Sequence, residues 1–388
     1  MDYLDSPAEA TFRSDLRQWF TETIPKFFPG ERTPRARLAL DGARRWSRAL
    51  FDAGYAGLTW PEEYGGRGLP VQYQAIMLDE QARAGAPEHL GIVGIGHAGP
   101  TIIAHGTAEQ KAKYLEPILS GEAIWCQGFS EPESGSDLAA VRTRARLSDD
   151  RWIIDGQKIW SSFAHIADQC ILLVRTDPNA SKHDGLSYLL VDMKTPGIEI
   201  RPIRQITGDS EFNEIFFTGV EVPQDAILGQ VGQGWQVAMT TLMHERATTG
   251  LTFVANLDTV VNRLTQYLND VGADGDPLVR DQFARIWIDL QGLRFTNYRS
   301  LAVAATGRVP GPEGSIVKLA WSVTNQSVTR LAQQVAGPYA LLSDSGEPWG
   351  GYWVYEQLRS RANSIEAGTS EILKNIVAER VIGLPRSR

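Results

Sequence analysis

The stretch 125-WCQGFSEPESGSDLAAVRTRA-145 lies where the pattern of the chain changes from helical to extended. Before it, segments such as 73-YQAIMLDEQARAG-85 carry apolar residues at three- and four-residue spacing, which is typical of amphipathic helices. After it, short β-branched or alternating segments follow up to about residue 228. Helical spacing returns after 229-GQVGQGW-235 and continues to about residue 383.

This order of patterns predicts an α+β chain of three domains. We expect an N-terminal helical domain over 1–122, a central β-barrel or sandwich over 123–228, and a C-terminal helical domain over 229–388. The predicted strands lie at 142–147, 151–155, 170–176, 186–193, 198–203 and 214–222. The sequences 272-GADGDP-277 and 307-GRVPGPEG-314 are predicted to be loops between long helices.

Composition limits the classes of function. The 388 residues are 43% apolar and 22% charged, which is a globular composition. Neither a membrane-spanning run nor a secretory leader is recognisable, so we expect a soluble cytoplasmic protein without a membrane partner. The net charge of −8, without a long basic run, argues against nucleic acid. Two cysteines and six scattered histidines predict neither a disulfide framework nor a metal site.

A glycine pattern at 91-GIVGIGHAGP-100 could be mistaken for a nucleotide-binding motif. Gly94, Gly96 and Gly99 have G-x-G-x-x-G spacing, but that motif works only between a strand and a helix. Because both flanks are helical in pattern, we predict a tight loop between packed helices.

The serine-rich turn within the opening stretch can bind a polar ligand. Ser130, Ser134 and Ser136 offer hydroxyl donors and Gly135 leaves backbone amides accessible, as a phosphate or a ring edge requires. A loop capped by its own hydroxyls is an equally good interpretation of these residues alone. In 155-DGQKIWSSFAHIADQ-169, a tryptophan precedes two serines, although a single tryptophan is most often a core residue.

Together these stretches resemble the acyl-CoA dehydrogenase family, and the resemblance covers essentially the whole chain. It includes 105-HGTAEQKAKYLEPILSGE-122, 130-SEPESGSD-137, 156-GQKIWSS-162 and 365-IEAGTSEILKNIVAERVIGLPR-386, in the family's order. The resemblance implies an N-terminal helical domain, a central β-domain and a C-terminal four-helix bundle, with FAD between the last two. It also implies α,β-dehydrogenation of an acyl-CoA, with reoxidation by an electron-transfer flavoprotein or a similar acceptor.

The resemblance assigns cofactor contacts residue by residue. Phe129 and Ser130 match the isoalloxazine edge, Ser136 lies near the phosphates, and Asp137 closes the turn. Trp160 matches the wall of one flavin face, with Ser161 beside it and Ser162 near N5. The remaining cofactor positions are Gln334, Gly337 and Thr369. Ser136 and Arg246 are the implied substrate contacts, Arg246 near the CoA portion.

Two glutamates compete for the role of base. In 242-LMHERATTG-250, Glu245 shares a helix face with small and apolar residues, and no cation lies three or four residues away. Many relatives carry the base just before the Gly-Thr of the C-terminal motif, but Ala367 occupies that position. Isovaleryl-type relatives place it on a helix, where Glu245 matches. We therefore predict Glu245, with Glu366 as the alternative and a surface acid at a domain seam as the non-catalytic interpretation.

The chain departs from the family pattern at two places. The R-x-x-F-G stretch that reaches the FAD of the adjacent subunit is missing from 269-NDVGADGDPLVRDQFARI-286, although Gln282 fits. Pro338 replaces a second glycine beside Gly337. These departures resemble subunits of bacterial dehydrogenases for CoA thioesters of steroid side chains, so we predict an α2β2 assembly with a second dehydrogenase-like chain. The alternatives are a homo-oligomer, a non-catalytic or FAD-sharing subunit, and an oxidase on the same scaffold.

Overall fold

The computed structural model describes residues 4–29, 37–304, 311–312, 314–342, 349 and 351–386, with backbone alone at 246–249 and 304. The chain divides into two compact units, which are described separately. One contains residues 39–69 and 88–245, and the other contains residues 1–38, 70–87 and 246–388. The predicted domain boundaries at 122 and 228 stay predictions. Within the described residues no helix is both long and apolar enough to cross a membrane.

The unit of residues 39–69 and 88–245 is built around a sheet. Its helices are α2 (Leu40–Asp52), α4 (Gly99–His105), α5 (Ala108–Ser120) and the start of α6 (Gly234–Asp270). A capping box begins α5, because Thr107 Oγ1 accepts from the Gln110 amide at 3.2 Å and Gln110 Oε1 accepts from the Thr107 amide at 3.1 Å. A π-helical turn, Gly94–Ala98, leads directly into α4. The predicted loop at this glycine pattern is therefore wrong, because the segment is itself helical.

The strands form one seven-stranded mixed sheet, curled into a half-barrel. They are β1 (Trp125–Gly128), β2 (Arg144–Ser148), β3 (Arg151–Ser162), β4 (Gln169–Arg175), β5 (Leu186–Asp192), β6 (Ile198–Pro202) and β7 (Phe212–Pro223). The order is β1-β4-β2-β3-β7-β6, and β5 also pairs with β4. The six predicted strands are confirmed; β1, which pairs in parallel with β4, escaped prediction.

Both faces of this sheet are covered by apolar residues. One face packs with α4, α5 and α6, where Trp125, Ile102 and Val237 share a core. The other encloses Cys126, Cys170 and Ile215 between strands. Residues 170–174 of β4 are each fully buried, so β4 is apolar on both sides, as expected for a strand within a covered sheet.

The second unit is helical. It contains α1 (Pro7–Phe27), α3 (Val71–Ala84), the remainder of α6, α7 (Pro277–Ala304), α8 (Gly314–Ala336), α9 (Tyr352–Arg359) and α10 (Ser370–Ile376). Leu264, Leu290 and Val328 belong to its core, and Phe253 stacks on Trp321 with ring centroids 3.7 Å apart. The predicted loop at 272–277 is confirmed between α6 and α7. Most of the other predicted loop, 307–314, lies outside the described residues.

Candidate active site

A buried ion pair fixes the serine-rich turn that follows β1. Lys158 has no exposed surface, and its Nζ donates to the Phe129 carbonyl and to Glu131 Oε1, both at 2.9 Å. The Glu131 carboxylate also accepts from the amides of Arg142 at 2.6 Å and Thr143 at 2.8 Å. Both ends of the 131–143 loop are thereby tied to the same carboxylate.

Burial acts on the pKa values of the two members of this pair in opposite directions. Burial lowers the pKa of Lys158 to about 8, although the neighbouring Glu131 carboxylate opposes that change. Burial alone would raise the pKa of Glu131, but the charge of Lys158 and the hydrogen bonds to its carboxylate outweigh burial and lower it. At neutral pH the pair is therefore ionised.

Trp160 is turned outward at a bulge in β3. The register between β3 and β7 shifts between Lys158 and Ser161, and Trp160 adopts a left-handed φ of 62°. Its side chain is 56% exposed and meets Phe212 edge to face, with centroids 6.2 Å apart. The bulge thus presents a large apolar ring that a regular strand would not place there.

Two serine hydroxyls in this region make no hydrogen bond to the part of the chain that the structure describes. The Ile159 amide donates to the Ser130 carbonyl at 2.9 Å, which brings the start of the loop beside Trp160. Ser162 lies two residues beyond the tryptophan, still within β3. Neither Ser130 Oγ nor Ser162 Oγ makes a hydrogen bond to any residue that the structure describes. Both side chains are half-buried, so the hydroxyls are available to a ligand.

The other residues predicted to contact the cofactor in this unit differ from Ser130 and Ser162 in their exposure. The Phe129 ring is buried against Tyr188, with centroids 5.8 Å apart, so any ligand contact from Phe129 would come from its backbone. Ser161 is also buried, and its hydroxyl has no hydrogen-bond partner among the described residues. Ser136 is exposed, and Asp137 beside it accepts from Lys182 Nζ at 2.6 Å.

Glu245 lies one helical turn beyond a buried hydroxyl cluster on α6. Thr241 Oγ1 contacts Tyr188 Oη at 2.9 Å and Thr101 Oγ1 at 3.0 Å, and Thr241 is fully buried. Because residues four apart share a helix face, Glu245 continues this face, and its side chain is half-buried. The pKa of Tyr188 lies above its usual range, chiefly because it is buried, with a contribution from the charge of Glu245. The Arg246 side chain lies outside the described residues.

Glu366 is held by two partners in the helical unit. Arg359 donates to its two carboxylate oxygens at 3.2 and 2.9 Å, and Asn363 Nδ2 donates at 3.0 Å. Ala367, next in the chain, has a left-handed φ of 50°. Lys318 is buried and donates to the carbonyls of Asn363 and Gly368 at 2.7 and 2.8 Å. These hydrogen bonds hold the turn that contains Glu366.

The remaining predicted positions also lie in the helical unit. The Thr369 hydroxyl caps α10 by accepting from the Ile372 amide at 3.3 Å. Gln334 is exposed near the end of α8. Gly337 follows with a φ of 55°, a conformation that glycine adopts without strain.

Comparison with known proteins identifies the family. Models for the N-terminal, middle and C-terminal domains of acyl-CoA dehydrogenases match residues 6–122, 126–220 and 232–382. The chain belongs to the acyl-CoA dehydrogenase family. The resemblance inferred from the sequence motifs is thereby confirmed, as is the fold of helical, β-sheet and helical domains.

Individual acyl-CoA dehydrogenases align over nearly the whole chain. Acyl-CoA dehydrogenase IpdE1 of Mycobacterium tuberculosis is 39% identical over 383 residues, covering 97% of both chains. Among solved structures, the Tcur3481-Tcur3483 steroid ACAD has a TM-score of 0.88 at 30% identity, and all of both chains is covered. The ChsE4-ChsE5 complex from Mycobacterium tuberculosis has a TM-score of 0.84 at 27% identity, again over both full chains.

Acyl-CoA dehydrogenases are FAD-dependent oxidoreductases, as the motifs predict. The residues present fit this cofactor. An exposed indole and two hydroxyls that bond to none of the described residues suit a flat, polar-edged ring, and these features occur at Ser130, Trp160 and Ser162.

Several residues of the site were not identified from the sequence. Along β3, Lys158 alternates in step with the buried Trp152 and Ile154, so it occupies a position that faces inward. A lysine at an inward position could have indicated a buried ion pair. Glu131 and Lys318 carried no such signal, because their partners lie far away in the sequence. The same is true of a contact between His97 Nδ1 and Gln127 Oε1 at 3.0 Å.

Proposed function

We propose that this acyl-CoA dehydrogenase introduces an α,β double bond into a CoA thioester, with Glu245 as the base that removes the α-proton. FAD, when bound, accepts the hydride from the β-carbon. The chain's own residues bind, orient and deprotonate the substrate.

The observation that supports the choice of base concerns the alternative, Glu366. Both oxygens of Glu366 already accept from Arg359, and Asn363 adds a third hydrogen bond. To reach a substrate, Glu366 would have to break this ion pair. Glu245 lies on α6 one turn beyond Thr241, whose buried contacts hold the helix in place.

For the flavin we propose that Trp160 covers one face and that the hydroxyls of Ser130 and Ser162 contact its polar edge. Ser136 and Thr369 are proposed near the phosphates, and Asp137, beside Ser136, pairs with Lys182. Arg246 is proposed to contact the CoA portion. The outward turn of Trp160 supports these assignments, as do the two serine hydroxyls, which bond to none of the described residues.

We infer that the acyl group derives from a steroid. Support comes from the Tcur3481-Tcur3483 structure, which is named as a steroid ACAD and is similar to this chain over its full length. The departures from the usual pattern at residues 269–286 point to the same group of enzymes.

A subunit that shares FAD with a second chain, and is inactive alone, is the other candidate. It is favoured by the missing R-x-x-F-G, because Asp274 and Gly275 stand in that region instead. Two similar structures are named as pairs of different chains. We propose an α2β2 tetramer in which a partner supplies the donors that this region lacks, with an electron-transfer flavoprotein as the acceptor.

An anaerobic titration tests the function. Protein loaded with FAD, alone and with its partner chain, is mixed with a steroid side-chain CoA thioester or a straight-chain acyl-CoA. We expect a thioester to abolish the visible absorbance of oxidised flavin. Protein that stays colourless with FAD and partner supplied, or flavin that no CoA thioester reduces, would overturn the proposal. Rapid reoxidation by oxygen would instead indicate an oxidase.

A further inference from the structure

One side of α8 is polar although it is buried. Four buried residues recur at three- and four-residue spacing and therefore share one face. They are Lys318, Ser322, Asn325 and Thr329. All four make hydrogen bonds to residues 357–368, at the end of α9 and beyond it. Buried polar groups are tolerated where such bonds replace those to water, so this face of α8 supports the irregular chain between α9 and α10.

Lys318 joins the two ends of one turn. Its Nζ donates to the Asn363 carbonyl at 2.7 Å and to the Gly368 carbonyl at 2.8 Å, so a single ammonium holds both ends of the turn 363–368. The Asn363 carbonyl also accepts from Ser322 Oγ at 2.7 Å. Among the described residues, the Gly368 carbonyl accepts from Lys318 alone. The Gly368 end of the turn thus depends on the ammonium.

The backbone of this turn needs support. Ala367 and Gly368 have left-handed φ angles of 50° and 93°. Glycine adopts such angles freely, but the Cβ of a left-handed alanine lies too close to the following carbonyl oxygen. The turn is therefore strained at Ala367, immediately before the residue whose carbonyl Lys318 binds. Strained backbone persists where its surroundings fix it, so loss of this bond would let the turn relax.

Thr369 follows the turn directly. Its hydroxyl oxygen accepts from the Ile372 amide at 3.3 Å, and its side chain is half-buried. A hydroxyl that accepts one hydrogen bond still has a hydrogen to donate. No described residue accepts it, so this donor is available to a ligand oxygen. Because Thr369 is the next residue after Gly368, its position follows from the conformation of the turn.

We propose that Lys318 is a positioning residue for the cofactor: it holds the turn 363–368 so that the Thr369 hydroxyl donates to a phosphate of FAD. The ammonium acts through the turn, since it is buried and its own hydrogen bonds go to carbonyls. This inference rests on the proposed function, in which Thr369 lies near the phosphates. It predicts that Lys318 and Thr369 contribute to the affinity for FAD as one unit.

A titration of the apo-protein with FAD, in the assembly that binds the cofactor, tests the proposal. Lys318→Met removes the ammonium from a side chain of similar reach, and Thr369→Val removes the hydroxyl. Each should raise the Kd of FAD at least about tenfold, because a hydrogen bond to a charged group is typically worth that much or more. The double variant should lie within about threefold of the weaker single variant, since residues that act together are not additive. Flavin fluorescence measures each Kd.

Ser322→Ala is the matched control. It removes a hydrogen bond to the Asn363 carbonyl but leaves Lys318 bound to Gly368. Its thermal midpoint should fall, whereas its Kd for FAD should stay within about twofold of the wild type. If Lys318→Met does not fold, Lys318→Gln, which keeps a donor but loses the charge, takes its place in the same comparison.

Three results would overturn the proposal. The first is an unchanged FAD affinity in either single variant. The second is a pair of effects, from Lys318→Met and Thr369→Val, that multiply in the double variant. The third is a loss of affinity in Ser322→Ala as large as that in Lys318→Met. Flavin that no CoA thioester reduces in the wild type would instead refute the proposed function, and the FAD affinities would still be measurable.

Discussion

Trp160 combines two features that seldom occur together, a left-handed backbone and a large exposed ring. A non-glycine residue in this region costs about 1–3 kcal/mol, and strain of this kind concentrates at functional sites. Nothing in the bulge itself requires the ring, because Ser161 and Ser162 resume pairing with β7 immediately afterwards. The strain is consistent with a side chain placed for a ligand.

Replacing Trp160 separates the strain from the ligand contact. Trp160→Ala and Trp160→Gly both remove the ring, so both should weaken FAD binding to a similar degree. Glycine adopts the left-handed conformation without the Cβ penalty, so the apo form of the glycine variant should be about 1 kcal/mol more stable than the alanine variant. Thermal unfolding of the apo proteins and FAD titration measure the two effects. Equal FAD affinity in the wild type and both variants would contradict a flavin contact.

The two glutamates allow an equally direct comparison. Glu245→Gln should retain flavin but reduce its rate of reduction by a CoA thioester at least about a hundredfold, since the proton acceptor is lost. Glu366→Gln removes the ion pair with Arg359 and should change this rate much less. Stopped-flow absorbance of the flavin, under anaerobic conditions, measures both. An exchange of the two results would assign the base to Glu366.

At the scale of elements, the serine-rich loop depends on one strand for its anchor. Lys158 from β3 reaches both the Phe129 carbonyl and Glu131, and Glu131 in turn holds the start of the chain that leads to β2. The loop therefore takes its shape from a charge pair with essentially no access to water.

Replacing Lys158 alone should lower the free energy of unfolding. Lys158→Met leaves the Glu131 carboxylate buried without its cation, which typically destabilises a protein by about 3–5 kcal/mol. The double variant Lys158→Met, Glu131→Gln should regain part of this loss, because the uncompensated charge is gone. Denaturant unfolding measures the free energy of unfolding of each variant. The amount of FAD retained reports whether the serine-rich loop keeps its conformation. A single variant within about 1 kcal/mol of the wild type would show that the pair does not anchor the loop.

Elements with a strong local period could be predicted from the sequence, and those defined by distant partners could not. Strands such as β4 and β5 carry continuous apolar runs, so their positions were evident. β1 has only four residues and exists through pairing with β4, whose register joins Trp125 to Gln169. The turn at 94–98 carries glycines that suggest a loop, yet packing keeps it helical. Motifs alone singled out Trp160 and Glu245 as candidates for the site, whereas the partners of Glu131 and Glu366 required the folded chain.

At the scale of the whole molecule, the remaining prediction concerns assembly. If a partner supplies the FAD donors that are absent from residues 269–286, the chain expressed alone should bind FAD weakly or substoichiometrically. Co-expression with a dehydrogenase-like chain should then give an α2β2 mass with two flavins per tetramer. Native mass spectrometry and the ratio of flavin to protein absorbance decide this. A stable homo-oligomer with one FAD per chain and full activity would contradict the heteromer.

The central position of β4 determines how its amide protons exchange with solvent. β4 pairs with β1, with β5 and, at Arg175, with β2, and residues 170–174 have no exposed surface. Its amide protons cannot reach deuterated solvent through fraying of an edge; exchange there requires the surrounding unit to open. The amides of β4 should accordingly be the last of residues 39–69 and 88–245 to exchange, and their rate reports the global stability of that unit.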